Sequence, residues 1–221
     1  MTDVTITVRG DHERRVAAEQ AVVTLRVAVE GPDRADVVAR LEALATPLTD
    51  DLADRQGTDG LVEWSSDRMS VWSERPWGDG HRLAPVHHAS VELTATFDDP
   101  VAVAAWVTAV AEREGVEIQT VEWRLTPGTR AAVERDVASE AVGVAVDRAT
   151  AYAAALGRGT VTPLEVADVG LLSTPGEPGG GPGARMMRAA FTADTEASPQ
   201  LRLQPDDIVV SAAVEARFTA R

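Results

Sequence analysis

The residue types best suited to chemistry gather in one stretch, where Asp79, His81, His87 and His88 lie close together and His12 stands apart. Imidazole and carboxylate groups suit zinc or nickel. Adjacent residues on a strand point to opposite faces, however, so His87 and His88 cannot both ligate one ion from regular strand geometry. No metal and no cofactor is expected. The acid pairs Asp50-Asp51 and Asp98-Asp99 fit helix ends or a wetted surface better than general acid–base work. No G-x-S-x-G elbow, no P-loop and no G-x-G-x-x-G after a strand occurs. The run from Gly179 to Gly183 lacks both the Lys-Ser/Thr and the helix of a phosphate cradle. No catalytic residue is assigned.

Two apolar groups remain as contact candidates. Trp64 and Trp72 share parity along one arm of a hairpin, so an unbulged strand places both on one side. They serve either as strand-packing aromatics or as an exposed ligand or interface face. Met186, Met187 and Phe191 sit in a Gly/Pro-rich stretch with no local core. Methionine adapts to varied partner surfaces, so these three either dock on a neighbouring subunit or partner, or belong to a disordered segment.

Composition bounds the rest. With 221 residues and 44% hydrophobic content, the chain can build its core without staples. Aromatics are only 4%, so Val, Leu and Ala must supply most of the core volume. The absence of cysteine removes disulfides, thiolate nucleophiles and Cys-based metal sites together. All 21 basic residues are Arg, set against 35 acidic ones, for a net charge of −14. Such a field repels phosphate backbones, so nucleic acid is not an expected partner. No apolar run long enough for a membrane span exists, and the N-terminus opens directly in strand pattern. The expected location is the cytoplasm.

The elements read as follows. Val4, Ile6 and Val8 alternate as a strand that Gly10 and Asp11 break. Val23, Leu25, Val27 and Val29 form the buried face of a second. Gly31-Pro32-Asp33 opens a helix striped by Val37, Leu41, Leu44, Leu48 and Leu52, with Pro47 predicting a kink or two shorter helices. Residues 61 to 97 form a long hairpin, its return arm turning Val91, Leu93, Ala95 and Phe97 inward.

Asp98-Asp99-Pro100 starts a helix that stops at Gly115. The next strand changes phase between Ile118 and Val121, which calls for a bulge at Gln119-Thr120. Thr126 to Thr129 begins the longest helix, about residues 130–156, with a stripe of Ala138, Val142, Val146, Ala149, Ala153 and Leu156. Strands around 164–171 and from Val210 to Phe218 follow, separated by a mobile, Gly/Pro-rich connection at about 173–206.

Order and spacing resemble the SIMPL-domain family. The strings that carry the likeness are Ile6-Thr7-Val8-Arg9-Gly10, the segment Ala21 to Glu30, and Ala89 to Thr96. To these add Leu125-Thr126-Pro127, the Ala149…Ala153…Leu156-Gly157 helix ending, and Met186-Met187 before the last strand. The resemblance covers nearly the whole chain. It implies an α+β fold, ring-like or higher oligomers, a loose link to stress protection or partner binding, and no established enzyme activity. Many bacterial relatives are exported.

The expectation is one α+β domain over 1–221, its two or three helices packed on one face of largely antiparallel sheet. Its expected role is that of a non-enzymatic homo-oligomer serving protein interaction or scaffolding. A small-molecule site in a groove near the 61–97 hairpin is the alternative.

Overall fold

A computed structural model describes residues 3–78, 80–172 and 203–221. In chain order the elements are β1 (Val4–Val16), β2 (Gln20–Gly31), α1 (Arg34–Arg55), β3 (Leu61–Glu74), β4 (Trp77–Gly78) and β5 (His81–Arg82). They continue with β6 (Val86–Phe97), α2 (Pro100–Ala111), β7 (Val116–Arg124), α3 (Pro127–Ala155), β8 (Val161–Asp168) and β9 (Ile208–Ala220). The protein is α+β, and among the described residues every strand pairing is antiparallel. The elements divide into two compact units.

The larger unit holds a four-stranded sheet in the order β3-β6-β2-β7. Alternation on the two central strands determines its buried face. Val23, Leu25 and Val27 on β2 meet Ala95, Leu93 and Val91 on β6, and α1 and α2 cover that face. Full burial of each large aliphatic side chain contributes about 1.5–3 kcal/mol. Asp33 caps α1, accepting the backbone N–H groups of Ala35 and Asp36 at 2.8 and 2.9 Å. These two bonds hold its carboxyl below the usual carboxylate range. Asp99 caps α2 in the same way, through Val101 N at 2.8 Å, with Pro100 in the first turn.

Pro47 does not divide α1, which runs unbroken from Arg34 to Arg55. Val37 and Leu41 before the proline and Leu48 and Leu52 after it are all buried, so one packed stripe spans the missing hydrogen bond. The expected bulge in β7 is present. Thr120 pairs with Thr24 and Ile118 with Leu25, leaving Gln119 as the extra residue. α2 ends at Ala111, short of Gly115, which has φ +74° and starts β7 by accepting Ala28 N–H at 2.9 Å.

The smaller unit is a three-stranded sheet, β1-β9-β8, with α3 across one face. Gly10 does not break β1, which continues to Val16 in register with β9. The residue serves packing instead. A Cβ there would fall 1.9 Å from the Ala141 carbonyl oxygen and 2.7 Å from Ala145 N. That closeness selects the helix face. Ala141, Ala145, Ala149 and Ala153 are buried, whereas Val146 and Leu156 from the expected stripe are exposed.

β8 begins at Val161, three residues before the sequence expectation, and bulges next to Pro163. Leu203 lies within the expected 173–206 connection, yet it is partly buried against the core of the four-stranded unit.

Candidate functional site

The face of the four-stranded sheet away from α1 and α2 carries the polar alternates of the same strands. On β2 these are Thr24, Arg26 and Glu30; on β6 they are His88, Ser90, Glu92, Thr94 and Thr96. Arg124 laces one end of this face. It donates to Gln20 Oε1 at 3.1 Å, Glu63 Oε1 at 3.3 Å and Thr96 Oγ1 at 3.4 Å, reaching from β7 across to β3.

The other end is assembled by a bulge. Ser66 pairs with Leu93 and Arg68 with Glu92, which makes Asp67 an extra residue in β3. Thr94 Oγ1 and Ser65 Oγ donate to its carboxylate at 2.5 and 2.7 Å and hold the carboxyl below its ordinary range. The inserted residue reverses the parity of the strand beyond it. Trp64 therefore faces the helices, partly buried on the core, while Trp72 sits opposite His88 on the other face. The two tryptophans do not share one groove.

Trp72 and His88 stack with ring centroids 5.0 Å apart and planes 11° from parallel. The Arg26 guanidinium carbon lies 5.8 Å from the Trp72 ring centre, and Arg26 donates to Ser90 Oγ at 3.2 Å. His88 is bracketed by carboxylates, with Nδ1 3.5 Å from Glu30 and Nε2 3.5 Å from Glu74. Nε2 is sealed from water and, among the described residues, has no hydrogen-bond partner. Arg26, Glu30, Trp72, His88 and Glu117 line an open cleft of about 360 Å³. An aromatic plane beside the Glu30 and Glu117 carboxylates can stack a flat ligand and accept its N–H donors. That is recognition chemistry.

His87 points to the opposite face, with its Nδ1 2.6 Å from Ser73 Oγ. His81 belongs to β5, Asp79 lies outside the described residues, and His12 lines a separate cleft with Arg14, Asp136 and Glu140. Among the described residues no group of three or more His, Cys, Asp or Glu side chains is placed to hold a metal. Met186, Met187 and Phe191 also lie outside the described residues.

Between α1 and α2 is another cleft, of about 440 Å³, bordered by Asp51, Arg55, Ala105, Trp106 and Arg113. Asp51 accepts Arg55 Nε at 2.9 Å and Trp106 Nε1 at 3.1 Å. Partial desolvation pushes its carboxyl up, but the Arg55 and Trp106 hydrogen bonds outweigh this and hold it low. Asp51 is about a quarter exposed, at 24%. Replacing it with alanine strands the indole N–H and is expected to cost about 1–3 kcal/mol at neutral pH. Because the folded pKa lies below the unfolded value, the ionised form's contribution is complete above about pH 4 and fades as pH falls through the folded pKa. Urea unfolding of both proteins from pH 7 down to pH 2 checks this: the gap in stability should narrow only in acid.

The SIMPL family model, described as a protein of unknown function (DUF541), matches residues 6–218. The chain belongs to the SIMPL family. No curated protein matches it. The SIMPL match starts on β1 and ends on β9, so both units of this SIMPL chain fall within it. Among the described residues, no helix is long and apolar enough to cross a membrane.

Sequence reading missed Arg26, Glu30, Glu74 and His88 as companions of Trp72. The outward alternation at 26 and 30 and at 88 and 90 marks these positions as surface. Only the antiparallel register, with Glu30 opposite His88, brings them together.

Proposed function

We propose that this SIMPL protein is a non-enzymatic, self-associating protein used in protein interaction or scaffolding. The observation that supports this most is apolar surface on the smaller unit. Tyr152, Leu156, Leu164, Val166 and Leu171 are each at least half exposed, Leu171 at 73%. They lie on α3, β8 and the turn after it, and large apolar side chains left exposed together suit contact with another protein. A cytoplasmic location is part of the proposal, and a role in stress protection completes it by analogy with the family.

Association predicts a concentration-dependent stability. Raising the protein from micromolar to hundreds of micromolar should raise Tm by several degrees, because only the folded, assembled state gains from mass action. A Tm independent of concentration would count against the proposal.

The Trp72 cleft favours a second reading, recognition of a small planar ligand bearing N–H donors. A thermal-shift screen of such compounds should give a hit that Trp72→Ala abolishes. If the wild type shows no shift, or the variant keeps it, that reading fails.

A further inference from the structure

Among the described residues, one strand edge in the smaller unit is open and unguarded. β9 pairs with β1 along its whole length, from Ile208 opposite Val16 to Ala220 opposite Val4. β8 covers its other side only from Val214 to Ala220. The six residues from Ile208 to Ala213 thus have, among the described residues, no strand on that side. β8 turns away where this lane opens: Asp168 is opposite Val214, and Leu171 N–H bonds back to Asp168 O at 3.1 Å.

The composition of the lane is unlike that of the edge strands of the two larger sheets. Ile208-Val209-Val210-Ser211-Ala212-Ala213 carries no charge and no proline. Edge strands are normally blunted by just those residues. β1 has Arg9, Asp11, Glu13 and Arg14; β7 has Glu117 and Glu122; β8 has Pro163, Glu165 and Asp168. β3, the fourth, has the Asp67 bulge with Arg68 beside it. The stretch also projects outward, with Val209 half exposed and Ser211 exposed.

We infer that Ile208–Ala213 is a self-pairing edge, occupied by the same strand of a second copy. The inference rests on the self-association proposed above and names its surface. In an antiparallel pair related by a two-fold axis through the sheet, a strand meets itself with its faces preserved. Val210 and Ala212 of both copies then stay on the α3 side, and Val209, Ser211 and Ala213 on the other.

The result is a continuous sheet, β8-β9-β1 joined through β9 to its symmetry mate. Two chains of net charge −14 repel each other over most of their surface. An uncharged edge is where they can approach. It is also self-complementary, because a strand without charge places no like charges opposite one another. Val169 and Leu171, both exposed, leave β8 at the mouth of the lane and supply apolar surface beside it.

The chain contains no cysteine, which makes the test clean. Facing residues of an antiparallel pair have Cα atoms about 4.5–5.5 Å apart, inside the about 4.4–6.8 Å that a disulfide spans. Under mild oxidation, full-length Ser211→Cys should cross-link to a covalent dimer, and Ser66→Cys, exposed on β3, should not. In parallel, sedimentation should show the wild type above 23.4 kDa and Ser211→Lys at a lower mass. If circular dichroism finds that variant misfolded, Val209→Lys takes its place.

If the wild type associates but neither lysine variant lowers its mass and no cross-link forms, this edge is overturned while self-association stands. A wild type at 23.4 kDa at every concentration overturns both. In that monomer, slow amide exchange at 208–213 would identify the chain's own residues as the occupant.

Discussion

Gly10→Ala is expected to loosen α3 from its sheet and cost on the order of 3 kcal/mol, since overpacking against backbone leaves little room to relax. The new Cβ would lie 1.9 Å from the Ala141 carbonyl oxygen, an atom fixed by the helix ladder rather than a side chain free to rotate. Relief requires α3 to lift from β1, which opens the contacts of Ala141, Ala145, Ala149 and Ala153, all buried to 1% exposure or less. Gly143 supplies the contrast. It lies in α3 with nothing within 4 Å of an added Cβ. Gly143→Ala should therefore stabilise, by about 0.5–1 kcal/mol from helix propensity alone. Urea midpoints, with amide exchange read on β1 and α3, check both. A neutral Gly10→Ala would mean that the helix does not pack on this strand.

Phe97→Ala is expected to be larger still, about 3–5 kcal/mol. Phe97 is 2% exposed and ends β6, where it pairs with Ala21 of β2 and Leu61 of β3. Its ring meets Trp106 of α2 at 5.2 Å, with planes tilted by 44°. Truncation removes a large group shared by three strands and a helix, and Ala21 opposite cannot fill the space. Trp106 should report the loss through altered fluorescence, and the unfolding midpoint should fall without a change in slope. Phe97→Leu, which keeps most of the volume, should cost much less. A full-length Phe97→Ala as stable as wild type would contradict the core described above.

The sequence made the parts with a strict apolar phase legible. β2 and β6 alternate without interruption, and both are buried where that pattern places them. The β7 bulge was readable because Ile118 and Val121 change parity in plain view. Asp67 was not. β3 is an edge strand with polar residues on both parities, Ser65 and Ser66 before the bulge and Arg68 and Ser70 after it. Val62 and Trp64 fall on one parity and Met69 and Val71 on the other, but Trp72 beside Val71 hides the change, and by parity alone Trp72 shares a side with Trp64.

α3 was misread for a related reason. Ala and Val occupy several of its faces, and only the close approach at Gly10 picks the alanine row. The two-sheet arrangement depends on pairings such as Val4 with Ala220. Local pattern carries no information at that separation.

The site was legible to the same degree. Trp72 stood out by type, but its partners are ordinary surface positions until register assembles them. The open lane of β9 depends on where β8 stops, at Asp168, and the sequence expectation carried that strand on to residue 171. Uncharged alternation at Val210 and Ala212 looked like any inner strand.

Light scattering on the purified full-length chain tests the account most directly. A mass at least twice 23.4 kDa, falling on dilution, is the predicted result. A single mass of 23.4 kDa across the accessible concentration range would contradict it.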